Sequence, residues 1–434
     1  MSLNSYIYAS RLSGLRQHLL GRLGWATALT LVLVACAAPP PPPQRPQAPA
    51  AAVAFDAAID FAVDDLLTQA QRLPEFQPPA KSLVESVLKK DAPIARSKIV
   101  VDVALDSQTG QQTVGTRFLD SRLLSRAMAK FPQFEVMPIP ASVQNGKGLT
   151  TERFLLASTL SPLGLQSSEA EGRYRINLSL TDLRTGYVLA QAGVNTTATG
   201  VDATPTSFYQ DSPSLVRDRI VDGQIRTAQT KTGAEADTIY VTSLTVSALI
   251  TEGVRLYDAG QFEEALRTYE AAVARPDGKQ LRVFNGLYLS NMQIGRTEAA
   301  EGAFGHIVAL GLSTNSLSFK FLFKPGSTDF LQDPKISGPY AMWLRVLAKE
   351  MASAQQCVTV LGHSSRTGSE QVNERLSLAR ASTLQRRLEG MSPTLLGRMQ
   401  SVGMGFRENL IGTGTDDLRD ALDRRVEFRV RNCS

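Results

Sequence analysis

The sequence predicts a multidomain α/β chain. An α/β domain lies toward the N-terminus, a short all-α stretch of helical hairpins follows, and a second mixed α/β domain closes the chain. Three observations predict this. Strand-like and helix-like runs alternate over residues 53–200, and they alternate again over 318–434. Between them, 238–312 carries only helical periodicity. The 434 residues leave room for several domains, and 43% hydrophobic with 20% charged residues is an ordinary composition for folding.

The elements follow in chain order. Arg11, Arg16 and Arg22 precede a short apolar run, Gly24 to Ala35, "GWATALTLVLVA". A positive start and a run too short to cross a bilayer comfortably mark 1–35 as an export signal. Residues 36–52 form a linker. Its "PPPPPQRPQAPA" favours extended polyproline II, which would hold the folded part away from the membrane surface.

In 53–200, Phe55, Ile59, Val63, Leu66 and Ala70 fall at helical steps. "KIVVDVAL", Lys98 to Leu105, reads as a β-branched strand broken after Gln108-Thr109-Gly110. Leu119, Leu123 and Ala127 mark a helix ending near Lys130, and "FEVMP" a second strand. Tyr174, Ile176, Leu178 and Leu180 alternate. "DLRTGYVLA" then turns at Thr185-Gly186 and returns, which is a β-hairpin. Residues 201–237 are polar and read as an irregular loop.

The helical stretch 238–312 contains "EGVRLYDAGQFEEALRTYEAAVARP". Gly253, Ala265 and Ala272 are small where paired helices approach, Tyr269 fills the groove, and Gly260 marks the turn. A poorer copy follows 35 residues later with Gly295, Ala300, Phe304 and Ile307.

In 318–434, "LSFKFLF" reads as a strand and "YAMWLRVLAKEMA" as a helix whose apolar face includes Leu344, Leu347 and Met351. "CVTVLGH" is a second strand. A hydroxyl-rich loop then enters a basic helix, with Val372, Leu376, Ala379, Thr383 and Leu388 as its apolar positions. Thr367 or Ser369 can cap it, Thr367 with Glu370 having capping-box spacing. Arg386 and Arg387 suit its C-terminal dipole, and Gly390 is placed to stop it. A third strand is expected near Met399 to Gly403, and "DRRVEFRVRN" is a final alternating strand.

Charge bounds the function. Lys and Arg number 46 against 41 Asp and Glu, a net of +5 that is too mild to point to nucleic acid. From Phe319 onward there are 17 basic and 12 acidic residues, so the whole excess sits at the C-terminal end, where an anionic ligand or surface would meet it. No G-x-S-x-G, Walker loop or HExxH occurs, and no recognisable carboxylate pair, so no catalytic residue, enzyme activity or cofactor is assigned. His18, His306 and His363 are the only histidines and no CxxC spacing exists, so no metal is expected. His363 is expected to hydrogen-bond the loop backbone, and Arg424 and Arg425 to serve the fold.

Three resemblances sharpen this reading. "LVAC", Leu33 to Cys36, resembles a bacterial lipobox, which implies cleavage before Cys36 and acylation, palmitate included, of that residue. Ala37 follows where an Asp would often retain such a protein at the inner membrane. An outer-membrane, lipid-anchored, periplasm-facing location is therefore implied, with several acyl chains giving stable anchorage. In that oxidising compartment Cys357 and Cys433, 76 residues apart, suggest a disulfide that would stabilise by roughly 4 kcal/mol in the chain-entropy model; two buried free thiols are the alternative. The stretch 238–312 resembles tetratricopeptide repeats, which implies either a surface for docking partner envelope proteins or a spacer.

The third resemblance rests on "GHSSRTGSEQVNERLSLARA", "VGMG" and "DRRVEFRV". Over about 115 C-terminal residues these are similar to the OmpA-like, peptidoglycan-associating domain, with the helix motif N-x-x-L-S-x-x-R-A at Asn373, Leu376, Ser377, Arg380 and Ala381. The resemblance implies a mixed α/β sandwich that binds the peptidoglycan stem peptide at diaminopimelate. Arg380 stands where the family's Arg takes the ligand carboxylate. Ser365, in "GHSS", stands where an Asp takes the ligand amine, and Lys324 stands where a second acid is common. Ser364, Ser365, Asn373, Arg380 and Lys324 are thus the candidate peptidoglycan-binding residues. Exchanging a charged for a neutral hydrogen bond at Ser365 is expected to cost about 1–2 kcal/mol, on the order of tenfold in affinity. Lys324, Arg366 and Arg380 together would make an unusually cationic pocket. The alternative function is a structural component of an envelope secretion or assembly complex, its C-terminal domain having lost wall binding.

Overall fold

The computed structural model describes residues 44–77, 96–140, 152–163, 173–324, 326–411 and 422–433. The expected export signal (1–35), Cys36 and the five consecutive prolines at 39–43 lie outside the described residues. The described chain is mixed α/β with two mixed sheets. Among the described residues no helix is long and apolar enough to cross a membrane.

The first sheet takes helix α1 (Phe55–Ala70) and strands β1 (Ser97–Val101) and β2 (Leu105–Asp106). Helix α2 (Val114–Lys130), β3 (Phe134–Pro138), β4 (Phe154–Leu163), β5 (Arg173–Asp182) and β6 (Tyr187–Thr197) follow. The order is β3-β1-β4-β5-β6, with β2 also on β4. Strand β1 is parallel to both neighbours, while β4, β5 and β6 run antiparallel in turn. The expected hairpin closes at Gly186, whose φ of +79° is cheap only for glycine. The strand expected over "KIVVDVAL" is interrupted at Asp102, which is buried and accepts the Tyr240 hydroxyl at 2.7 Å.

Both faces of this sheet are covered. Ile99, Val101, Leu156 and Leu178 pack under α1 and α2, while Val100, Leu155 and Ala157 face Ala228, Tyr240 and Leu244 on the other side. Two-sided burial explains why β4 escaped the sequence reading: "FLLASTL" is apolar or small throughout and shows no alternation. Helices α1 and α2 are also bridged by charge. Arg122 pairs with Asp60, and both Arg126 and Lys130 pair with Asp64.

The irregular-loop reading of 201–237 is corrected. The segment holds α3 (Ser207–Asp211) and α4 (Arg219–Gln229), the latter capped by Asp218 accepting from Ile220 N and Val221 N. Gly223 and Gln224 made α4 look like a loop. Both are buried, and a Cβ at Gly223 would meet Asp237 Oδ1 at 2.5 Å, so this glycine serves close packing, not a turn.

Next come α5 (Thr238–Thr242), α6 (Leu244–Asp258), α7 (Phe262–Val273), α8 (Leu281–Gln293) and α9 (Thr297–Thr314). The Tyr269 ring of α7 lies between α6 and α8: Cβ atoms on Gly253 and Gly286 would sit 2.6 and 2.3 Å from its Cζ. The two glycines give up propensity to admit one aromatic ring.

The second sheet runs β7-β10-β8-β9. It is made by β7 (Leu317–Phe319), β8 (Cys357–His363), β9 (Met399–Gly405) and β10 (Val426–Arg431), with the short α10 (Pro334–Ser337), α11 (Tyr340–Ala354) and α12 (Glu370–Met391). Strand β10 is antiparallel to β7 and β8, and β9 is parallel to β8. A disulfide joins Cys357 and Cys433. Two expectations for α12 are corrected. Gly390 does not stop the helix, which runs through to Met391. The buried face is Asn373, Ser377, Arg380, Ala381, Leu384 and Leu388, while Val372 is half exposed. The polar half of that face meets a polar loop, so reading only apolar positions put the phase wrong.

Candidate functional site

The site is built where β8 leaves the sheet and α12 begins. Helix α12 lies hard on two strands because they are glycine there. A Cβ on Gly362 of β8 would be 2.1 Å from the Ser377 carbonyl oxygen, and one on Gly403 of β9 would be 2.4 Å from that of Glu374. Ser377 Oγ accepts from Gly405 N at 2.9 Å and locks the same approach. With the helix so placed, Asn373, Ser377 and Arg380 share one buried stripe.

The loop 364–369 is closed by this stripe. Asn373 Nδ2 donates to the carbonyls of Thr367 at 2.9 Å and Ser369 at 3.2 Å. Gly368 takes φ +95° at the turn. Ser369, one of the two expected caps, is the N-cap residue and accepts from Val372 N. Ser364 donates its backbone N–H to the Gly405 carbonyl at 2.9 Å, and its Oγ is buried without a hydrogen-bond partner among the described residues. Ser365 is buried and Arg366 is exposed.

Arg380 is 5% exposed. Its Nε donates to the Ser327 carbonyl at 3.1 Å and its Nη2 to the Lys324 carbonyl at 3.2 Å, and its guanidinium lies 4.9 Å from the centre of the Phe323 ring. Lys324 therefore reaches Arg380 through its backbone, where the sequence reading placed a side-chain charge. Phe323 and Ser327 were missed altogether. Phe323 had a signal, as the aromatic ending of "LSFKFLF"; a carbonyl such as that of Ser327 leaves none.

A charged cluster buttresses the loop from the β10 side. Arg425 is buried and donates to Glu427 Oε1 at 2.7 Å and to the Glu408 carbonyl at 3.1 Å; Asp423 accepts from Leu410 N and Ile411 N. The guanidiniums of Arg425 and Arg429 hold Glu427 below the ordinary carboxylate range against the opposing push of burial. His363 is 2% exposed, and its ring nitrogens have no hydrogen-bond partner among the described residues. The expected bond from its ring to the loop is not made; Nε2 instead faces Glu427 Oε1 at 3.6 Å. Burial, helped by Arg425, pulls the His363 pKa down to about 3, so the ring is neutral. His363, Glu408 and Glu427 offer ligand atoms within 4.8 Å of one another. Both carboxylates are engaged by Arg429, and Arg425 adds a buried positive charge, a setting that disfavours a metal cation.

No family model and no curated protein matches the chain. Solved structures do resemble part of it. An outer membrane protein from Borrelia burgdorferi B31 is similar at 25% identity over 27% of this chain and 88% of that one, with a TM-score of 0.21. The peptidoglycan-associated lipoprotein from Burkholderia pseudomallei is similar at 22% identity over 26% and 89%, with a TM-score of 0.22. The OmpA-like domain of FopA1 from Francisella tularensis subsp. tularensis SCHU S4 is similar at 20% identity over 27% and 75%, with a TM-score of 0.20. At these TM-scores the likenesses by themselves assign nothing to this chain.

Proposed function

We propose that this chain is an envelope protein that associates non-covalently with peptidoglycan through the segment 318–434, without catalytic activity. In this reading Cys36 carries the lipid that anchors it to the outer membrane, facing the periplasm. The helices of 238–312 form a tetratricopeptide-like surface that docks other envelope proteins, supported by the Tyr269 ring between Gly253 and Gly286. The observation that carries the wall-binding reading is the buried guanidinium of Arg380, set on the helix stripe that also closes the loop of Ser364 and Ser365. A stem-peptide carboxylate would compete with the Ser327 and Lys324 carbonyls for its N–H groups. An ionised acceptor makes a bond roughly twice as strong as a neutral carbonyl, which favours the exchange. Ser365 then offers the ligand amine a neutral hydrogen bond only.

A second reading is favoured by Ser365, by Lys324 and by the carbonyls already seated on Arg380. In it the domain has lost wall binding and packs as a structural component of an envelope assembly. Co-sedimentation with purified sacculi separates the two. The first expects the wild type to sediment, Arg380→Ala to stay in solution, and Ser365→Asp to bind about tenfold tighter. A wild type that does not sediment favours the second; a Ser365→Asp variant that binds no better than wild type removes Ser365 from the site.

A further inference from the structure

A cavity of about 400 Å³ lies between α8, α11 and the segment around α3, and shares none of its lining with the Arg380 site. Its wall is largely apolar: Tyr288, Leu289, Met292, Ile336, Tyr340 and Trp343 line it. The aromatic part is fixed. Trp343 Nε1 donates to the Tyr288 hydroxyl at 2.8 Å, and the Trp343 and Tyr340 rings are 4.9 Å apart. Among its polar groups, Gln210, Ser212 and Gln293 are neutral, and the charged ones are two cations and one acid. Lys320 and Lys335 supply two ammonium groups. Against them stands Asp211, whose carboxylate already accepts the Tyr257 hydroxyl at 2.8 Å.

Lys320 donates to the carbonyls of Tyr209 at 2.9 Å and Gln210 at 2.8 Å. An ammonium has three donors, so one remains, and the carboxylate whose charge reaches Lys320 is that of Asp211. Burial draws its pKa down to about 8, as expected of a cation short of negative partners. Ser212 Oγ, on the same wall, is buried without a hydrogen-bond partner among the described residues. An apolar body of aromatic size, one excess positive charge and an unused hydroxyl describe one kind of guest. Water alone would leave the apolar wall in contact with solvent.

We infer that this cavity binds a small organic acid, with its carboxylate on Lys320 and Lys335 and an aromatic or branched apolar body against Tyr288, Ile336 and Trp343. The acid is either free or the C-terminal residue of a peptide. Trp25 and Trp343 are the two tryptophans of the sequence, and Trp25 falls in the expected export signal, so in protein starting at Cys36 Trp343 emission is a local reporter. Titration with 4-phenylbutyrate is expected to change that emission saturably. Its uncharged amide is expected to bind about fivefold weaker, as is the acid in Lys335→Met, in line with a partly screened charge contact. Lys335 is exposed, so Lys335→Met keeps the test open should Lys320→Met fail to fold. Titration with Ala-Ala-Phe divides the sources. Tighter binding than the free acid puts the carboxylate on a chain terminus, weaker binding puts it on a free metabolite, and either supports the shared chemistry. No saturable change with either probe, or equal affinity for acid and amide together with an unaltered Lys335→Met, overturns the inference.

Discussion

At the scale of single residues, the chain invests buried polar groups near the loop 364–369. His363 carries a testable consequence. Its pKa is about 3 when folded and near 6.5 when unfolded, so the unfolded chain takes up the proton first as pH falls. Its contribution is complete above pH 6.5 and declines between 6.5 and 3, by up to about 1.4 kcal/mol per pH unit. Glu427, held low, acts only below its ordinary range near 4.5. Urea unfolding between pH 6.5 and 4.5 is therefore expected to show the wild type losing stability relative to His363→Leu. Parallel curves for the two proteins would mean that the ring is not held neutral. Asp120, raised to about 8 by burial, works in the opposite direction, but equally in both proteins, so it cancels from the difference.

At the scale of elements, the site is a docking problem. Helix α12 reaches its depth because Gly362 and Gly403 have no side chains under it. Gly362→Ala puts a methyl into the Ser377 carbonyl, and is expected to cost about 2 kcal/mol or more. Under the proposed wall-binding reading it is expected to weaken sacculus sedimentation too, though it touches no candidate ligand residue; unfolding and sedimentation assays on one preparation check both. The disulfide belongs to this scale as well. Cys357 opens β8 opposite Arg431 of β10, and Cys433 lies two residues beyond, so the bond clasps the ends of adjacent strands across a separation of 76 residues. Reduction is expected to lower stability by about 2–4 kcal/mol, read as a shift in urea midpoint with and without reductant. Much of the secondary structure was legible at this scale. Phe55–Ala70, Phe134–Pro138 and Cys357–His363 stand where periodicity placed them. Strand β4 and helix α4 were not legible, because burial on both sides erases alternation and because buried Gly and Gln imitate a loop.

At the scale of the whole molecule, the helical stretch and the second sheet share one hydrophobic core. The cluster runs from Phe208 through Tyr269 and Phe304 to Phe428. Trp343 is its hinge point: the ring stacks on Phe304 of α9 at 5.6 Å and its N–H reaches Tyr288 of α8, while α11 carries it over the sheet. Two segments that share a core are expected to unfold together. Calorimetry is expected to show a single transition for them, and Trp343→Ala to lower it by about 3–5 kcal/mol. Two separate transitions, with only one moved by Trp343→Ala, would mean that the core is divided.

The sequence by itself determined most of the helices and strands, one of the two glycines that admit Tyr269, Gly253, and the loop-and-helix motif that points to Arg380. These are local properties, written in periodicity, turn chemistry and motif spacing. Tertiary structure alone decided which face of α12 is buried, that Lys324 meets Arg380 through a carbonyl, and that the helices and the second sheet close over one core. Backbone acceptors and two-sided burial depend on which distant segment arrives at a position, and residue identity along the chain does not record that arrival.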